Sequence, residues 1–459
     1  MGLFNLSERK LTGNGDQKRF TVRTTPAQTL VIGFAAIILF GAVLLTLPVS
    51  VQPDREVSFL TSLFTATSAV CVTGLVVVDT GTHWTTFGHI VILALIQVGG
   101  LGFMTMATFL YLVLGRRIGL KQRLMIQESL NQTNLAGIVR LARYVLLFTF
   151  AVEISFAVIL ALRWSVELGW RKGMWFGLFH SVSSFNNAGF DLFGNFKSLT
   201  DYNGDAIVTL CITTLIIIGG IGFSVIMDLV RRLKERGHLS LHTKMVLTVT
   251  GLLIFCGTVI IFLLEYDNTL QNLNPLGKVL ASYFQAVTPR TAGYNTLDIG
   301  ALHSATQFFI VILMFIGASP GSTGGGIKTT TFGALVISVW SMIKGKAEAE
   351  VFERRVGQDL VFKSLAIMFI ASLLVVVVTL LLSITEKADF LTLLFETTSA
   401  FGTVGLSMGV TPKLTSMGRI LIIITMFLGR VGPLTLAFAL SRSKLKSHLR
   451  YPEEKILVG

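Results

Sequence analysis

Long apolar runs alternate along this chain with short segments of small polar residues and with basic loops. An α-helix rises 1.5 Å per residue, so an apolar run of about 20 residues crosses the hydrocarbon core of a bilayer. Seven runs have this character: Thr29–Leu47, Phe87–Leu114, Val145–Leu162, Ile207–Val230, Met245–Leu264, Leu365–Ile384 and Ile420–Leu440. Between them lie four segments too short and too polar to span: FTATSAVCVTGL (Phe64–Leu75), FHSVSSFNNAGF (Phe179–Phe190), FQAVTPRTAGY (Phe284–Tyr294) and FETTSAFGTVGL (Phe395–Leu406). In each, a phenylalanine precedes a glycine (Gly74, Gly189, Gly293 or Gly405) by ten residues, or by nine in the third copy.

A second landmark follows each glycine. VGGLGF holds Gly99 and Gly100, IGGIGF holds Gly219 and Gly220, IGASPG holds Gly317, and LGRVGP holds Gly429. The offsets from the first glycine to Gly99, Gly219, Gly317 and Gly429 are 25, 30, 24 and 24 residues. Two landmarks recurring in one order, with a period of 104 to 115 residues, mark an internal repeat. Each copy reads as an apolar helix, a half-spanning re-entrant segment and a second apolar helix. The predicted fold is an all-α membrane protein of four tandem helix–pore loop–helix repeats. Eight transmembrane helices and four re-entrant pore helices would surround one central pore. The repeats occupy 26–116, 117–233, 234–343 and 344–441, between tails at 1–25 and 442–459.

Composition agrees. The 459 residues are 52% hydrophobic and 14% charged, against about 25% charged in soluble proteins. The net charge is +13, and 26 of the 38 Lys and Arg fall in five segments: 1–25, 116–143, 231–244, 344–363 and 442–459. The positive-inside rule places these in the cytoplasm with both termini, which requires an even number of spans. Basic residues at helix ends, rather than along one face, argue against a nucleic-acid partner. The polar residues 1–25 are expected to be a tail and not a signal peptide. Cys71, Cys211 and Cys256 have no metal-ligand spacing and read as apolar fillers. No catalytic pair, metal cluster or nucleotide fingerprint marks an enzyme. GSTGGGIKT departs from a phosphate-binding loop because Ile327 displaces the lysine and no strand precedes it.

Irregular backbone at membrane depth must be buried in protein or line a wet cavity. Four such segments around one axis can offer carbonyl oxygens to a cation stripped of water. Glycine permits the positive φ that turns carbonyls inward. Pore helices aim their partially negative C-termini at the ion. The candidate filter residues are Val72, Thr73 and Gly74; Asn187, Ala188 and Gly189; Thr291, Ala292 and Gly293; and Thr403, Val404 and Gly405.

The segment GASPGSTGGGIK (Gly317–Lys328) cannot hold a regular helix. Flanked by Phe308–Ile316 and Phe332–Trp340, it reads as a loop that breaks one span beneath the filter. The gate candidates are Gly317, Ala318, Ser319, Pro320, Gly321, Ser322, Thr323, Gly324, Gly325, Gly326 and Lys328, with Arg430. Arg430 stands inside an apolar run and needs a partner. Two readings are open: a charge near the pore that meets the loop, or a pair with a carboxylate such as Asp228 or Glu153. Arg290 is expected at the outer vestibule or against the filter backbone. His180 and Glu396 are expected near pore-helix starts, where the helix dipole favours a carboxylate. Asp54, Glu56, Asp191, Asp201, Asp205, Glu265 and Asp267 fall on predicted outer loops.

The phrases TSAVCVTGLVVVDT, SSFNNAGFDLFG, QAVTPRTAGYNT, TTSAFGTVGLSMG and GASPGSTGGGIKT resemble the Ktr/Trk/HKT superfamily of potassium transporters. The resemblance runs from Thr25 to Leu440 and is nearest to bacterial Ktr membrane subunits of the KtrB/KtrD type. It implies a homodimer in the plasma membrane of a bacterium, with one pore per protomer and an intramembrane gating loop at the glycine-rich segment. It also implies an RCK-type cytoplasmic ring (KtrA/KtrC-like) that carries the nucleotide, so that K+ is the ion bound by this chain. A serine at the first-repeat glycine accompanies sodium permeation in that superfamily, so Gly74 favours potassium. An aromatic follows the glycine only at Phe190 and Tyr294, which implies a shorter filter of moderate selectivity. The alternatives are a sodium-permeable cation channel and an ion-coupled secondary transporter, a class marked by inverted repeats and intramembrane carboxylates.

Overall fold

Apolar length sets the outer layer. The computed structural model describes residues 26–102, 105–106, 124, 127, 138–235, 238–346 and 348–432. The expected tails at 1–25 and 442–459, and most of the basic segment 116–143, lie outside the described residues. Four helices are long and apolar enough to cross a bilayer: Gln28–Thr46, Val139–Leu168, Leu241–Glu265 and Gln358–Thr385. Only 22% to 33% of their apolar windows is buried in the protein, so most of each surface is left for lipid. Phe40, Leu147, Phe255 and Phe369 are among the exposed side chains.

Each long helix is followed by a shorter, largely buried one: Phe59–Cys71, Trp170–Phe185, Pro275–Val287 and Phe390–Gly402. Their small residues let helix backbones approach closely, which is how helices associate where the apolar effect gives no drive. The recurrent phenylalanine has a packing role. Phe64, Phe179, Phe284 and Phe395 are each 0% exposed and anchor these helices in the apolar clusters behind them.

A third set of helices follows: Thr86–Leu101, Ala206–Gly220, Ser304–Phe315 and Ser416–Val431. None is a full span by itself. The run Ile207–Val230, read as one span, is corrected to two helices meeting at a 97° bend. The bend falls at Gly222, whose φ is 95°, and the helix resumes as Phe223–Glu235. The chain turns there because Phe223 N donates to Gly321 O at 2.9 Å, so a glycine-rich segment from elsewhere satisfies the freed helix N-terminus. Counting the bent pair as one gives five candidate spans among the described residues. In the third copy the helix Ser304–Phe315 stops and resumes only at Thr329–Ile343. The expected helices Phe87–Leu114 and Ile420–Leu440 are described to Gly102 and Gly432, apart from Thr105 and Met106, and their remainders lie outside the described residues.

The expectation of an all-helical chain needs one amendment. Ala349–Val351 and Arg354–Val356 form a two-stranded antiparallel hairpin. This polar stretch lies outside the apolar runs, where backbone groups can pair with one another instead of in a helix. Its turn residues, Phe352 and Glu353, both have positive φ (51° and 60°), the geometry that suits a two-residue hairpin.

The second glycine landmark marks contact between helices. A Cβ on Gly99, Gly219 or Gly429 would overlap the carbonyl oxygen of Val70, Phe185 or Phe401, each in the last turn of the preceding buried helix. Gly219→Ala and Gly429→Ala should therefore lower the melting temperature in detergent, by overpacking of about 1–3 kcal/mol each. Gly251→Ala, where nothing lies within 4 Å, should leave it unchanged or slightly raised. Equal melting temperatures for all three would contradict the packing.

Candidate functional site

All four buried helices end in the same unusual backbone. Val72, Asn187, Thr291 and Thr403 have φ of 57°, 59°, 70° and 51°; two residues later Gly74, Gly189, Gly293 and Gly405 have φ of 89°, 68°, 84° and 96°. Left-handed valine and threonine are costly, and three such residues at equivalent places indicate a geometry imposed by the surroundings. The middle amides tie back to the helix: Thr73 N to Ser68 O at 2.8 Å, Ala188 N to Ser183 O at 2.7 Å and Val404 N to Ser399 O at 2.8 Å. In the third copy Ala292 N reaches Thr288 O at 3.0 Å, one residue nearer, where the sequence interval is one residue shorter.

Hydroxyls brace these segments. Ser68 Oγ accepts from Gly74 N at 3.0 Å and Ser399 Oγ from Gly405 N at 3.1 Å. Ser183 Oγ donates to Phe190 O at 2.9 Å, and Thr288 Oγ1 to Tyr294 O at 2.5 Å. Tyr294 OH donates across copies to Phe190 O at 3.0 Å. Serine and threonine hydroxyls were expected to tie down the backbone groups left over here, and a serine stands six residues before both Gly74 and Gly405.

The four segments touch in a closed ring. A Cβ on Gly74 would lie 2.5 Å from Ala188 O and 3.2 Å from the Gly189 Cα; one on Gly189 would lie 2.5 Å from Ala292 O and 3.1 Å from the Gly293 Cα. Gly293 meets Val404 O and Gly405 in the same way, and Gly405 meets Thr73 O and Gly74. Eight of the twelve candidate filter residues make the ring's contacts, with the carbonyls of Thr73, Ala188, Ala292 and Val404 among them. Such a donor set is neutral and made of carbonyls, which suits a dehydrated monovalent cation. Among the described residues no group of three or more His, Cys, Asp or Glu could hold a metal ion.

The glycine-rich loop lies against this ring. Gly317 N donates to Ile327 O at 2.9 Å, which closes the loop's base. Ser319 N and Thr323 N donate to Gly220 O and Gly219 O at 3.0 and 3.2 Å, fastening it to the bend of the second copy. Thr323 Oγ1 donates to Phe185 O at 3.2 Å and approaches Asn187 Oδ1 at 3.5 Å. A Cβ on Gly324 would overlap Thr291 Oγ1, and one on Gly325 would overlap Thr403 Oγ1. The loop therefore touches the first filter position of three copies. Lys328 Nζ donates to Gly324 O at 2.7 Å. A cavity of about 640 Å³ adjoins Gly324, Gly326, Lys328 and Arg430 but no candidate filter residue.

Arg430 settles on backbone. Its guanidinium donates to Thr323 O, to Gly99 O and, at 3.2 Å, to Gly100 O. The carboxylate alternatives are corrected: Asp228 accepts from Ser240 N and Thr243 Oγ1 at 3.0 and 2.6 Å, and Glu153 accepts from two amides.

Other placements differ from the expectations. Glu396 lies at the middle of its helix and His180 in the second half of its own, neither near the start. Glu396 accepts from Ser407 Oγ at 2.8 Å and Thr411 Oγ1 at 2.5 Å, and His180 Nε2 accepts from Leu192 N at 3.4 Å, so both hold the chain that leaves the ring. Arg290 is 5% exposed and meets Asn187 Nδ2 through its carbonyl at 3.3 Å, while its Nε has no partner. Glu265 is 0% exposed and accepts from His303 N and Asn268 Nδ2, and Asp205 caps the helix that begins at Ala206. Neither is a solvated loop charge. Asp191, just past the ring, has its carboxyl pushed up to about 7 by burial and then by Asp79.

Three comparisons bear on this arrangement. Residues 16–448 match the family model TrkH, described as a cation transport protein. The chain is 47% identical over 440 residues to the Ktr system potassium uptake protein B of Bacillus subtilis, covering 95% of this chain and 98% of that one. It is 40% identical over 452 residues to the potassium/sodium uptake protein NtpJ of Enterococcus hirae, covering 96% and 99%. The crystal structure of the potassium transporter TrkH from Vibrio parahaemolyticus superposes with a TM-score of 0.70 at 20% identity, over 92% of this chain and 86% of that one.

Gly74→Ser should disturb the ring by both its φ and its lack of room. Its K+/Na+ permeability ratio in liposomes should fall roughly tenfold, the lower end of an overpacking cost of about 1–3 kcal/mol. Gly409→Ser is the control, since Gly409 has φ of 83° but nothing within 4 Å. An unchanged ratio in Gly74→Ser would count against the ring as the selective element.

Proposed function

The chain belongs to the TrkH family of cation transport proteins, and on that premise we propose that it is the ion-translocating membrane subunit of a potassium uptake system. The observation that carries the reading is the closed contact of four glycine segments with a loop against Asn187, Thr291 and Thr403. Potassium is favoured by Gly74 and by the printed name of the Bacillus subtilis relative. Sodium is the second reading, favoured by the name of the Enterococcus hirae relative.

K+ binds at Val72–Gly74, Asn187–Gly189, Thr291–Gly293 and Thr403–Gly405, where backbone carbonyls replace its water. The buried hydroxyls of Thr73 and Thr403 have no protein partner and can receive water or the ion. The pore helices add the negative ends of their dipoles. Loop 317–328 is the gate: with Thr323, Gly324 and Gly325 against Asn187, Thr291 and Thr403 it leaves a cation no room to descend. Arg430 latches it through Thr323 O and places a positive charge beneath the filter, where it limits the dwell of K+.

The wider assembly follows the same reading. Four tandem repeats give eight membrane helices and place both termini in the cytoplasm, in the plasma membrane of a bacterium. Two chains form a homodimer. A separate RCK-type ring carries the nucleotide and pulls on the loop from the cytoplasmic side. The Ktr system names of the relatives support a multi-component system.

Two measurements test this. Expression in a bacterium lacking potassium uptake should restore growth on low potassium, more strongly with a co-expressed ring. No rescue, together with new sensitivity to external sodium, would overturn the ion assignment. Deletion of Ser322–Gly325 should raise K+ flux in liposomes severalfold. Unchanged or reduced flux in a deletion protein that retains its melting transition would remove the loop as gate.

A further inference from the structure

A polar cluster lies behind the second candidate filter segment, in the middle of the apolar layers. Glu153 belongs to the span Val139–Leu168 and is 2% exposed. Its Oε2 accepts from Gln97 Nε2 at 3.2 Å and its Oε1 from Asn186 Nδ2 at 2.9 Å. Gln97 stands in the helix Thr86–Leu101, and Asn186 immediately precedes Asn187. Ser181 Oγ donates to the Glu153 carbonyl at 2.6 Å, which fixes the helix beside the pore helix. An ionisable residue inside a span is costly, and its usual partner is an opposite charge.

No such partner is present. Among the described residues no basic side chain is within ion-pair distance of Glu153. The surrounding elements carry few titratable groups. The helix Thr86–Leu101 has His89, bonded to Thr80 O at 2.8 Å. The pore helix Trp170–Phe185 has Arg171 and Lys172 at its start, and His180, bonded to Phe176 O at 2.8 Å. The helix Ala206–Gly220 has Cys211. On Glu153's own helix, Arg143 and Arg163 are each ten residues away. Arg430 reaches this region only through the Gly99 and Gly100 carbonyls.

Two side-chain amides hold the carboxyl in place. Asn186 Nδ2 has two hydrogens but three acceptors, each at 2.9 Å: Gln97 Oε1, Glu153 Oε1 and Val182 O. Asn186 Oδ1 is buried with no donor. Val182 O already accepts from Asn186 N at 3.1 Å, so the two Nδ2 hydrogens serve Gln97 and Glu153. Two amide donors solvate the carboxylate only in part, and one proton on the carboxyl removes a buried charge that has no counter-charge.

We propose that Gln97, Glu153 and Asn186 form a proton-binding site behind the second filter segment, with the proton on Glu153, and that its release changes cation conduction. Loss of the proton places a negative charge one residue from Asn187, strengthens the hold on K+ in the filter and slows its exit. Arg430 and Thr323 lie on the same route, since Gly100 packs against Asn186 Oδ1 and Thr323 Oγ1 against Phe185 O. The conduction half of the inference rests on the filter reading; the proton site itself does not.

The test uses the full chain in liposomes, with K+ as the probe. Infrared difference spectra should show a carboxylic-acid C=O band that vanishes in Glu153→Gln; the same spectrum in both proteins overturns the proton site, whether or not K+ is conducted. K+ flux in the wild type should fall about tenfold as pH rises through the titration, well below the full effect of a unit charge at short range in the interior. Glu153→Gln should be flat and near the low-pH wild-type level. Gln97→Leu removes a donor to the carboxylate, so its midpoint should move to higher pH. A wild-type pH profile in both variants, or a band without any pH response of flux, overturns the coupling.

Discussion

The structure depends on four backbones being brought into contact where no water can repair a mistake. At the ring, each glycine Cα rests against the carbonyl and the glycine of the next copy, so a single added methyl has nowhere to go. Such contact requires the segments to be non-helical at membrane depth. Non-helical backbone there requires every amide and carbonyl to find a partner. The left-handed caps at Val72, Asn187 and Thr403, the amides turned back to Ser68, Ser183 and Ser399, and the hydroxyl braces all serve that requirement. The buried phenylalanines then hold the helices that deliver the segments, and the long outer helices shield them from lipid.

Buried charge is handled by the same currency of backbone dipoles. Arg430 would be costly in an apolar layer if left alone. A carboxylate partner would neutralise it. Carbonyls from Thr323, Gly99 and Gly100 solvate the guanidinium without cancelling its charge. Because those carbonyls belong to a loop and to a different helix, the arginine also ties the loop to the rest of the ring. Its position is a consequence of the glycines at 99 and 100, which leave the helix end open to side-chain donors.

Much of this was legible in the residues. Phenylalanine and glycine at a fixed spacing are local requirements, one for packing and one for close approach, and each leaves its mark at a single position. Interactions that depend on a distant partner leave no such mark. The run Ile207–Val230 carries a single charge, Asp228, so hydropathy cannot see that Gly222 turns it by 97° to meet Gly321. Glu396 was expected to answer a helix dipole, yet it answers Ser407 and Thr411 beyond the ring. Gln97 and Asn186 look like incidental polar residues until Glu153 is placed between them. The hairpin at 349–356 escaped because its strands are three residues long and carry no turn glycine.

The four copies are not equivalent, and the difference is concentrated in one place. In the first, second and fourth, the landmark glycine presses on the end of the preceding buried helix, at Val70, Phe185 and Phe401. In the third, Gly317 meets Gly325 of the loop instead, and the corresponding helix stops at Phe315. The third copy is also the one whose glycine segment is a residue shorter, capped from Thr288 rather than from one residue earlier. A shortened cap and a displaced inner helix open the space that the loop fills. Had all four copies kept the helix contact, Gly324 and Gly325 could not reach Thr291 and Thr403. A fourfold ring suits a carbonyl cage, and breaking its symmetry in a single copy is what allows one segment to stand beneath it.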